Sequence, residues 1–409
     1  MTPSRRTFTL GAAALWLTSC GGTPGPALLP AEDPTLRPAP NPGWDAWVAA
    51  FRSRALASGI SASVFDSAFA RAGFLPGVVE RDRKQTEFSR TLEDYLAITA
   101  SEDKVATGRA ELRANAGLLA EIEARYGVPA RVTCAVWGME SNYGARRGAI
   151  PVISACSTLA YDGRRGAFFE SQLLAALKIL QRGDTTPERL VGSWAGAMGH
   201  TQFIPTTYQA YAVDFRGDGR RDIWSEDPTD ALASAAAYLS RSGWQRGAPW
   251  GQEVVLPAGF NTALAGRGRR RSDWSSLGVR SATGGALPGG SAALLLPQGP
   301  NGPAFLAYPN FDVILRYNNS VNYGIGVGYL SDRLAGAGAL RGRFPPDANG
   351  LTIDDRRDLQ RRLSAAGFDT GGNDGVIGSK TEAAIRAYET RAGLPVTGRP
   401  SPELLARLR

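Results

Sequence analysis

From Trp44 to about Leu180 apolar residues recur every three or four positions, as in WDAWVAAFRSRAL and ELRANAGLLAEIEARYG. That period predicts a mostly helical unit. Two further helices are predicted over 168–180 (FFESQLLAALKIL) and 230–244 (DALASAAAYLSRSGW), the latter with Asp230 as its cap and Gly243 past its end. Over 250–310 the period gives way to glycine, proline and short apolar runs such as EVVLP and ALLLP, which predict loops and a small sheet. Helix returns in NFDVILRYNNSVNYGIGVGYLSDRL, and GRFPPDANG, residues 342–350, reads as a linker. The block 351–409 predicts three short helices around a core of Leu359, Leu363, Ile385, Tyr388 and Leu405, with GGNDGVIGSKT as a turn-rich loop. The fold class expected is mainly α, with a minor β part (α+β).

A chain of 409 residues can bury one large core and carry a second, smaller domain. Its net charge of +8 is nearly all arginine, since Lys84, Lys104, Lys178 and Lys380 are its only lysines. The excess suits an acidic polymer, yet no basic helix or aromatic–basic ladder points to nucleic acid. The N-terminus changes the picture more. MTPSRRTFTLGAAALWLTSC has a basic start and an apolar run from Leu10 to Leu17, too short to span a bilayer. The approach to Cys20 resembles a lipobox, which would make Cys20 a lipidated mature N-terminus. Ser4-Arg5-Arg6-Thr7-Phe8 resembles a twin-arginine export motif, with the Sec route as the alternative. Gly21 after the cysteine leans to the outer membrane. Residues 21–43, rich in proline and glycine, read as a tether. Cys134 and Cys156 then remain, either as a disulfide in an oxidising periplasm or as two buried thiols.

The candidate chemistry starts at GMESNYG, residues 138–144. Pro129 suits the first position of the preceding helix. Val132, Val136 and Glu140 are spaced by four and share one face, so the glutamate continues an apolar stripe just before Asn142 and Gly144 end the helix. A carboxyl there loses hydration, its pKa rises, and it can donate a proton to a leaving oxygen. The plainer alternative is a helix-end glutamate that turns to water. A second stretch, SWAGAMGHTQFIPTTYQAY, pairs close-packing small residues with Gln202 and Phe203, an amide and an aromatic face suited to a sugar. His200, the sole histidine, is read as structural, since a lone histidine makes no metal site. A third stretch, RYNNSVNYG, offers Tyr317, Asn318 and Tyr323 to a carbohydrate, although tyrosines six apart do not align on one helix.

In this order and spacing, GMESNYG, AYDGRRGAFF, AGAMGHTQFIPTTY, DFRGDGRRDIW and RYNNSVNYG strongly resemble the membrane-bound lytic transglycosylase B family, over about Trp44 to Leu334. LQRRLSAAGF, NDGVIGSKTEAAIRAYE and GLPVTG are similar to the three-helix peptidoglycan-binding domain type 1. The resemblance implies a lysozyme-like helical catalytic domain with a small sheet subdomain. The expected organisation is a lipoprotein signal peptide over 1–20, the tether over 21–43, the catalytic domain over 44–337, a linker over 338–350 and a peptidoglycan-binding domain over 351–409. It implies Glu140 as the single catalytic acid and base, Ser193 as the serine that holds its carboxyl, and Gln202, Phe203, Tyr238, Tyr317, Tyr323 and Asn318 as cleft residues. The implied reaction cuts the bond between N-acetylmuramic acid and N-acetylglucosamine without water, leaving 1,6-anhydromuramic ends. No cofactor is required. The implied partners are peptidoglycan glycan strands and, through the N-terminal lipid, a membrane.

Some relatives bind calcium where DFRGDGRRDIWSEDPTD stands here. Asp214, Asp218, Asp222 and the more distant Asp230 are the candidate ligands, but Arg216 occupies a ligand position and no glutamate closes the loop, so an aspartate–glycine turn is the preferred reading. Two alternatives remain. A muramidase would need a second carboxylate, for which Asp162 and Glu170 are candidates. A non-catalytic wall-binding lipoprotein would need no Glu140 at all.

Overall fold

A computed structural model describes residues 33–84, 90–266, 270–271 and 274–408. Cys20 and the rest of the signal, and the tether as far as residue 32, lie outside the described residues. Helix starts follow the local sequence. In α1 (Pro42–Ala57) Asn41 accepts the Trp44 N–H at 3.0 Å and Pro42 opens the first turn. Ser61 caps α2 (Ala62–Phe69), and α3 (Pro76–Arg83) again begins on proline. Thr91 caps α4 (Leu92–Thr99) and Ser101 caps α5 (Glu102–Ala114). Then come α6 (Ala116–Tyr126), α7 (Ala130–Ser141), α8 (Val152–Asp162) and α9 (Gly166–Arg182), with β1 (Ile150–Pro151) before α8 and β2 (Val191–Gly192) after α9. Two shorter connections lead through α10 (Pro205–Tyr211) to α11 (Thr229–Arg241).

Pro129 stands just outside α7 as its cap residue, one position before its expected place. Nearly the whole of α7 is buried, from Val132 through Gly138 and on to Glu140 and Ser141. It is the central rod of the main core, with α5, α6, α11 and a late helix packed round it. Asp230 does not cap α11. It sits in the first turn and accepts the Phe215 and Asp222 N–H groups at 2.8 and 2.9 Å, so it ties down both sides of the preceding loop.

The region from 250 to 310 forms the expected small sheet. Its strands β3 (Gly251–Val255), β4 (Arg270–Arg271), β5 (Arg280–Ser281), β6 (Ala292–Leu295) and β7 (Ala304–Ala307) lie in the order β4-β6-β7-β3-β5, all antiparallel. Leu294 faces Leu306 across β6 and β7, and both enter a separate small core with Val254, Trp274 and Val279. The following helical stretch divides into α12 (Pro309–Tyr317) and α13 (Val321–Leu334). Asn318 is already extended, and Ser320 starts the second helix by accepting the Tyr323 N–H.

The C-terminal unit is α14 (Ile353–Ala365), α15 (Ser379–Arg391) and α16 (Pro402–Arg407). Leu359, Leu363, Ile385 and Leu405 form its core, with Tyr388 at the edge. The expected linker is held at both ends. Glu253 on β3 accepts the Arg341 and Gly342 N–H groups, and Asp347 accepts those of Asn349 and Leu351. Arg356 on α14, 3% exposed, bonds Glu93 and Asp94 on α4 at 2.8 and 2.9 Å and Asp347 at 2.9 Å. The two units therefore share a buried ion cluster. Among the described residues no helix is long and apolar enough to cross a membrane.

Candidate active site

The helix α7 stops abruptly at Ser141, one residue after Glu140. Asn142 and Tyr143 both take left-handed backbone, with φ of 51° and 56°. Among the described residues one other non-glycine does so, Gln202 at φ 51°. Such conformations cost of order 1–3 kcal/mol each and persist where the surroundings over-determine them. Here they do. The Tyr143 ring turns back onto Gly138, whose missing Cβ leaves the room: a Cβ there would lie 2.6 Å from the ring. The Tyr143 hydroxyl donates to the Lys104 carbonyl on α5 at 3.1 Å. Ser141 Oγ donates to the His200 carbonyl at 2.6 Å, which ties the helix end to the SWAGAMGHTQF loop.

Glu140 is 7% exposed. Tyr323 on α13 donates its hydroxyl to Glu140 Oε1 at 2.5 Å, and Glu140 Oε2 is buried with no hydrogen-bond partner among the described residues. Burial pushes the carboxyl up to about 8, against the Tyr323 hydrogen bond and the Lys104 charge, which both pull it down. At neutral pH the group is thus mostly protonated, with one oxygen held and the other unclaimed.

Behind Tyr323 the aromatic side chains form a continuous stack. Tyr317 and Tyr323 lie nearly parallel, with centroids 6.4 Å apart and planes at 17°. The break at Asn318 explains this, because it lets residues on two different helices face the same space. Tyr238 meets Tyr317 edge-on at 5.0 Å, and Phe203 packs on both at 5.9 and 5.8 Å. Their hydroxyls are spent on backbone: Tyr317 on the Thr201 carbonyl at 2.6 Å and Tyr238 on the Arg316 carbonyl at 2.5 Å. Burial raises both, Tyr238 to about 12.

Several sequence expectations change at this point. Ser193 does not hold Glu140. Its hydroxyl accepts the Ala195 and Ala197 N–H groups at 3.3 and 3.1 Å and shapes its own turn. Gln202 commits its amide nitrogen to the Gly199 and Arg147 carbonyls at 2.8 and 3.0 Å. Phe203, 2% exposed, backs the tyrosines and offers no open face to a sugar. Asn318 is half-buried beside Tyr317. Of the two readings for Cys134 and Cys156, the structure has the buried thiols: both are free, and burial raises each to about 12.

His200 is also enclosed. Trp137 Nε1–H donates to its Nδ1 at 3.0 Å, so its Nε2 carries the proton and donates to the Ser225 carbonyl at 2.7 Å. Burial lowers its pKa, which keeps it neutral, and it braces α7 against the loop.

The aspartate-rich loop spends its carboxylates on itself. Asp214 accepts the N–H groups of Gly217, Asp218 and Gly219, Asp218 accepts that of Arg220, and Asp230 accepts two as described. Arg216 turns out to an ion pair with Glu121. No group of three or more His, Cys, Asp or Glu among the described residues is arranged to hold a metal. Arg216, at a ligand position, gives no oxygen to a calcium ion, which takes six to eight.

Lys104 is a residue the sequence did not single out. In SEDK it reads as an ordinary first-turn lysine, yet it is 7% exposed and within electrostatic reach of Glu140. Asp162 on α8 and Glu170 on α9, the candidates for a second carboxylate, pair with Arg83 on α3 and Arg54 on α1.

Residues 43–332 match the transglycosylase SLT domain family, and residues 352–408 match the peptidoglycan binding domain family. The chain is 33% identical over 216 residues to the membrane-bound lytic murein transglycosylase B of Escherichia coli (strain K12), a match covering 51% of this chain and 58% of that protein. The chain thus matches little more than half the length of that curated relative. Among solved structures, SltB3 of Pseudomonas aeruginosa in complex with NAG-NAM-pentapeptide is 51% identical, with 90% of this chain and 100% of that one covered and a TM-score of 0.73. The Escherichia coli lytic transglycosylase Slt35 in complex with calcium is 26% identical over 75% of this chain and 98% of its own, with a TM-score of 0.61.

Proposed function

The chain belongs to the transglycosylase SLT domain family of lytic transglycosylases, lyases that act on peptidoglycan, and from that premise we propose how Glu140 does the work here. The substrate is the glycan strand of peptidoglycan, cut between N-acetylmuramic acid and N-acetylglucosamine. Glu140, protonated because it is buried, gives its proton from Oε2 to the glycosidic oxygen. The C1–O bond breaks with its electron pair on that oxygen, and positive charge develops at C1. The Glu140 carboxylate then takes the proton of the muramic C6 hydroxyl, whose oxygen closes on C1 as a 1,6-anhydro ring. The hydroxyl is part of the same sugar, so its effective concentration is very high and no water need be positioned.

The observation that carries this reading is the division of Glu140's two oxygens, one held by Tyr323 and the other buried and unclaimed. A hydrolase would need a second carboxylate across the cleft. Asp162 and Glu170, both committed to arginines elsewhere, give that reading no support. Tyr238, Tyr317 and Phe203 support the site from behind, and Ser193 and Gln202 shape the loop that faces α7.

Residues 351–409 bind the wall and keep the enzyme on its substrate. The site is periplasmic, with Cys20 as the lipid attachment point on the outer membrane, reached by Tat or Sec export. The test is mass spectrometry of products released from peptidoglycan sacculi, with Glu140→Gln as control. Muropeptides ending in 1,6-anhydromuramic acid, absent with Glu140→Gln, are the expected result. Reducing ends would mean hydrolysis, and activity retained by Glu140→Gln would remove the glutamate from its role.

A further inference from the structure

Lys104 stands in the first turn of α5, three residues after its cap Ser101, and is buried to 7% exposure. A lysine that far from water ordinarily carries a carboxylate partner. Among the described residues none lies within ion-pair distance of this ammonium, and it donates no hydrogen bond there. Its electrostatic neighbours are Glu140, which favours its charge, and Arg146, which opposes it. Its pKa falls to about 8, chiefly through burial.

The backbone fixes this placement. The Tyr143 hydroxyl bonds the Lys104 carbonyl at 3.1 Å while the Tyr143 ring lies on Gly138, two residues before Glu140. One tyrosine in strained left-handed backbone therefore clamps the first turn of α5 to the last turn of α7. That clamp sets the first turn of α5, with Lys104 in it, against the end of the helix that carries Glu140, and the two side chains interact electrostatically. The other groups around the pair are Tyr323 and Tyr317 from α13 and α12, Tyr95 from α4, Arg146 and Tyr143 after α7, and Glu111 further along α5.

A single acid that must also become the base meets a difficulty in an apolar pocket. Burial favours the protonated state, so the carboxylate left after proton donation is costly unless something stabilises it. The phenol of Tyr323 supplies one hydrogen bond to it. We infer that Lys104 is a positioning residue for the reaction: its ammonium serves as the fixed counter-charge of the Glu140 carboxylate between proton donation and proton return. The inference rests on the reading of Glu140 given above. Lys104 itself transfers no proton. In each turnover the Glu140 proton goes to the leaving oxygen and is replaced by that of the C6 hydroxyl.

The test is kcat/KM against pH for release of anhydro-muropeptides from sacculi by the full chain, its Lys104→Met and Lys104→Arg variants, and Glu140→Gln. In Lys104→Met the glutamate loses its counter-charge and holds its proton more tightly. The alkaline limb should move up by roughly one pH unit, with activity at neutral pH down roughly tenfold or more. Lys104→Arg keeps the charge and should keep the limb near its wild-type position. Lys104→Met should fold, because it removes a mostly buried charge that has no ion pair among the described residues. Should it not, Lys104→Arg decides alone, since a limb shifted as far as a neutral residue would shift it overturns the inference. A Lys104→Met profile that overlays the wild type, or lower activity with the limb unmoved, also overturns it. Those outcomes with Glu140→Gln inactive leave the glutamate's role standing, whereas an active Glu140→Gln removes the premise itself.

Discussion

Replacing Glu140 by glutamine should make the protein more stable at neutral pH while it abolishes turnover. The unfolded carboxyl titrates near 4.5 and the folded one near 8. A raised folded pKa means the folded state binds the proton more tightly. Its contribution is fully present below pH 4.5 and is lost as pH rises toward 8. At pH 7 the unfolded chain has released this proton and the folded protein has kept it. The difference of 2.5 units between 4.5 and 7, at about 1.36 kcal/mol each, amounts to about 3 kcal/mol against the folded state. Glutamine has the same shape, can still accept the Tyr323 hydroxyl, and has nothing to ionise. Lys104 is present in both proteins, so its own titration cancels to first order. Urea unfolding of wild type and Glu140→Gln from pH 4 to pH 8.5 measures the effect, since the gap in free energy should open from near zero at the acid end to about 3 kcal/mol at pH 7. A gap of constant size, or none at pH 7, would refute the claim that this carboxyl is buried and protonated.

Other perturbations test the surrounding structure. Tyr323→Phe removes the phenol that bonds Glu140 Oε1, so the alkaline limb of the pH–rate profile should rise and kcat/KM should fall by about tenfold or more; an unmoved limb would deny the hydrogen bond a part in tuning the acid. Gly138→Ala places a Cβ 2.6 Å from the Tyr143 ring and should cost about 1–3 kcal/mol in thermal unfolding, unless the tyrosine can move aside without penalty. Arg356→Met leaves Glu93, Asp94 and Asp347 without their shared cation, at a cost of about 3–5 kcal/mol where the two units meet. Faster amide exchange in α14 and proteolytic nicking at residues 338–350 would report it, and unchanged protection would contradict it. Deleting residues 351–409 should weaken binding to sacculi more than turnover of soluble glycan fragments; equal losses would mean that the C-terminal unit serves both.

The parts of this molecule legible in the sequence were those set by neighbours along the chain. The small sheet over 250–310 and the three helices of 351–409 were legible because period and turn residues are local signals. The spacing of Val132, Val136 and Glu140 put the glutamate on an apolar face, since a helix repeats every 3.6 residues whatever surrounds it. The motif order from GMESNYG to RYNNSVNYG carried the family, and the C-terminal block carried its wall-binding unit.

Other features depended on residues far apart in the chain. Glu140 is held by Tyr323, 183 positions away, and Ser193 is spent on its own turn. Phe203 faces the core because Tyr238 and Tyr317 close over it from α11 and α12. Cys134 and Cys156 lie in neighbouring segments, but the packing of α7 and α8 leaves them as separate thiols. Lys104 gave no local signal, because a lysine in a helix's first turn is ordinary until another helix covers it. The sequence by itself determined that one carboxyl would stand on an apolar face at the end of one helix. The tertiary structure decided what stands beside it, since a hydrogen bond or a counter-charge is fixed by how α5, α7 and α13 pack in space and is not encoded in the spacing of any one of them.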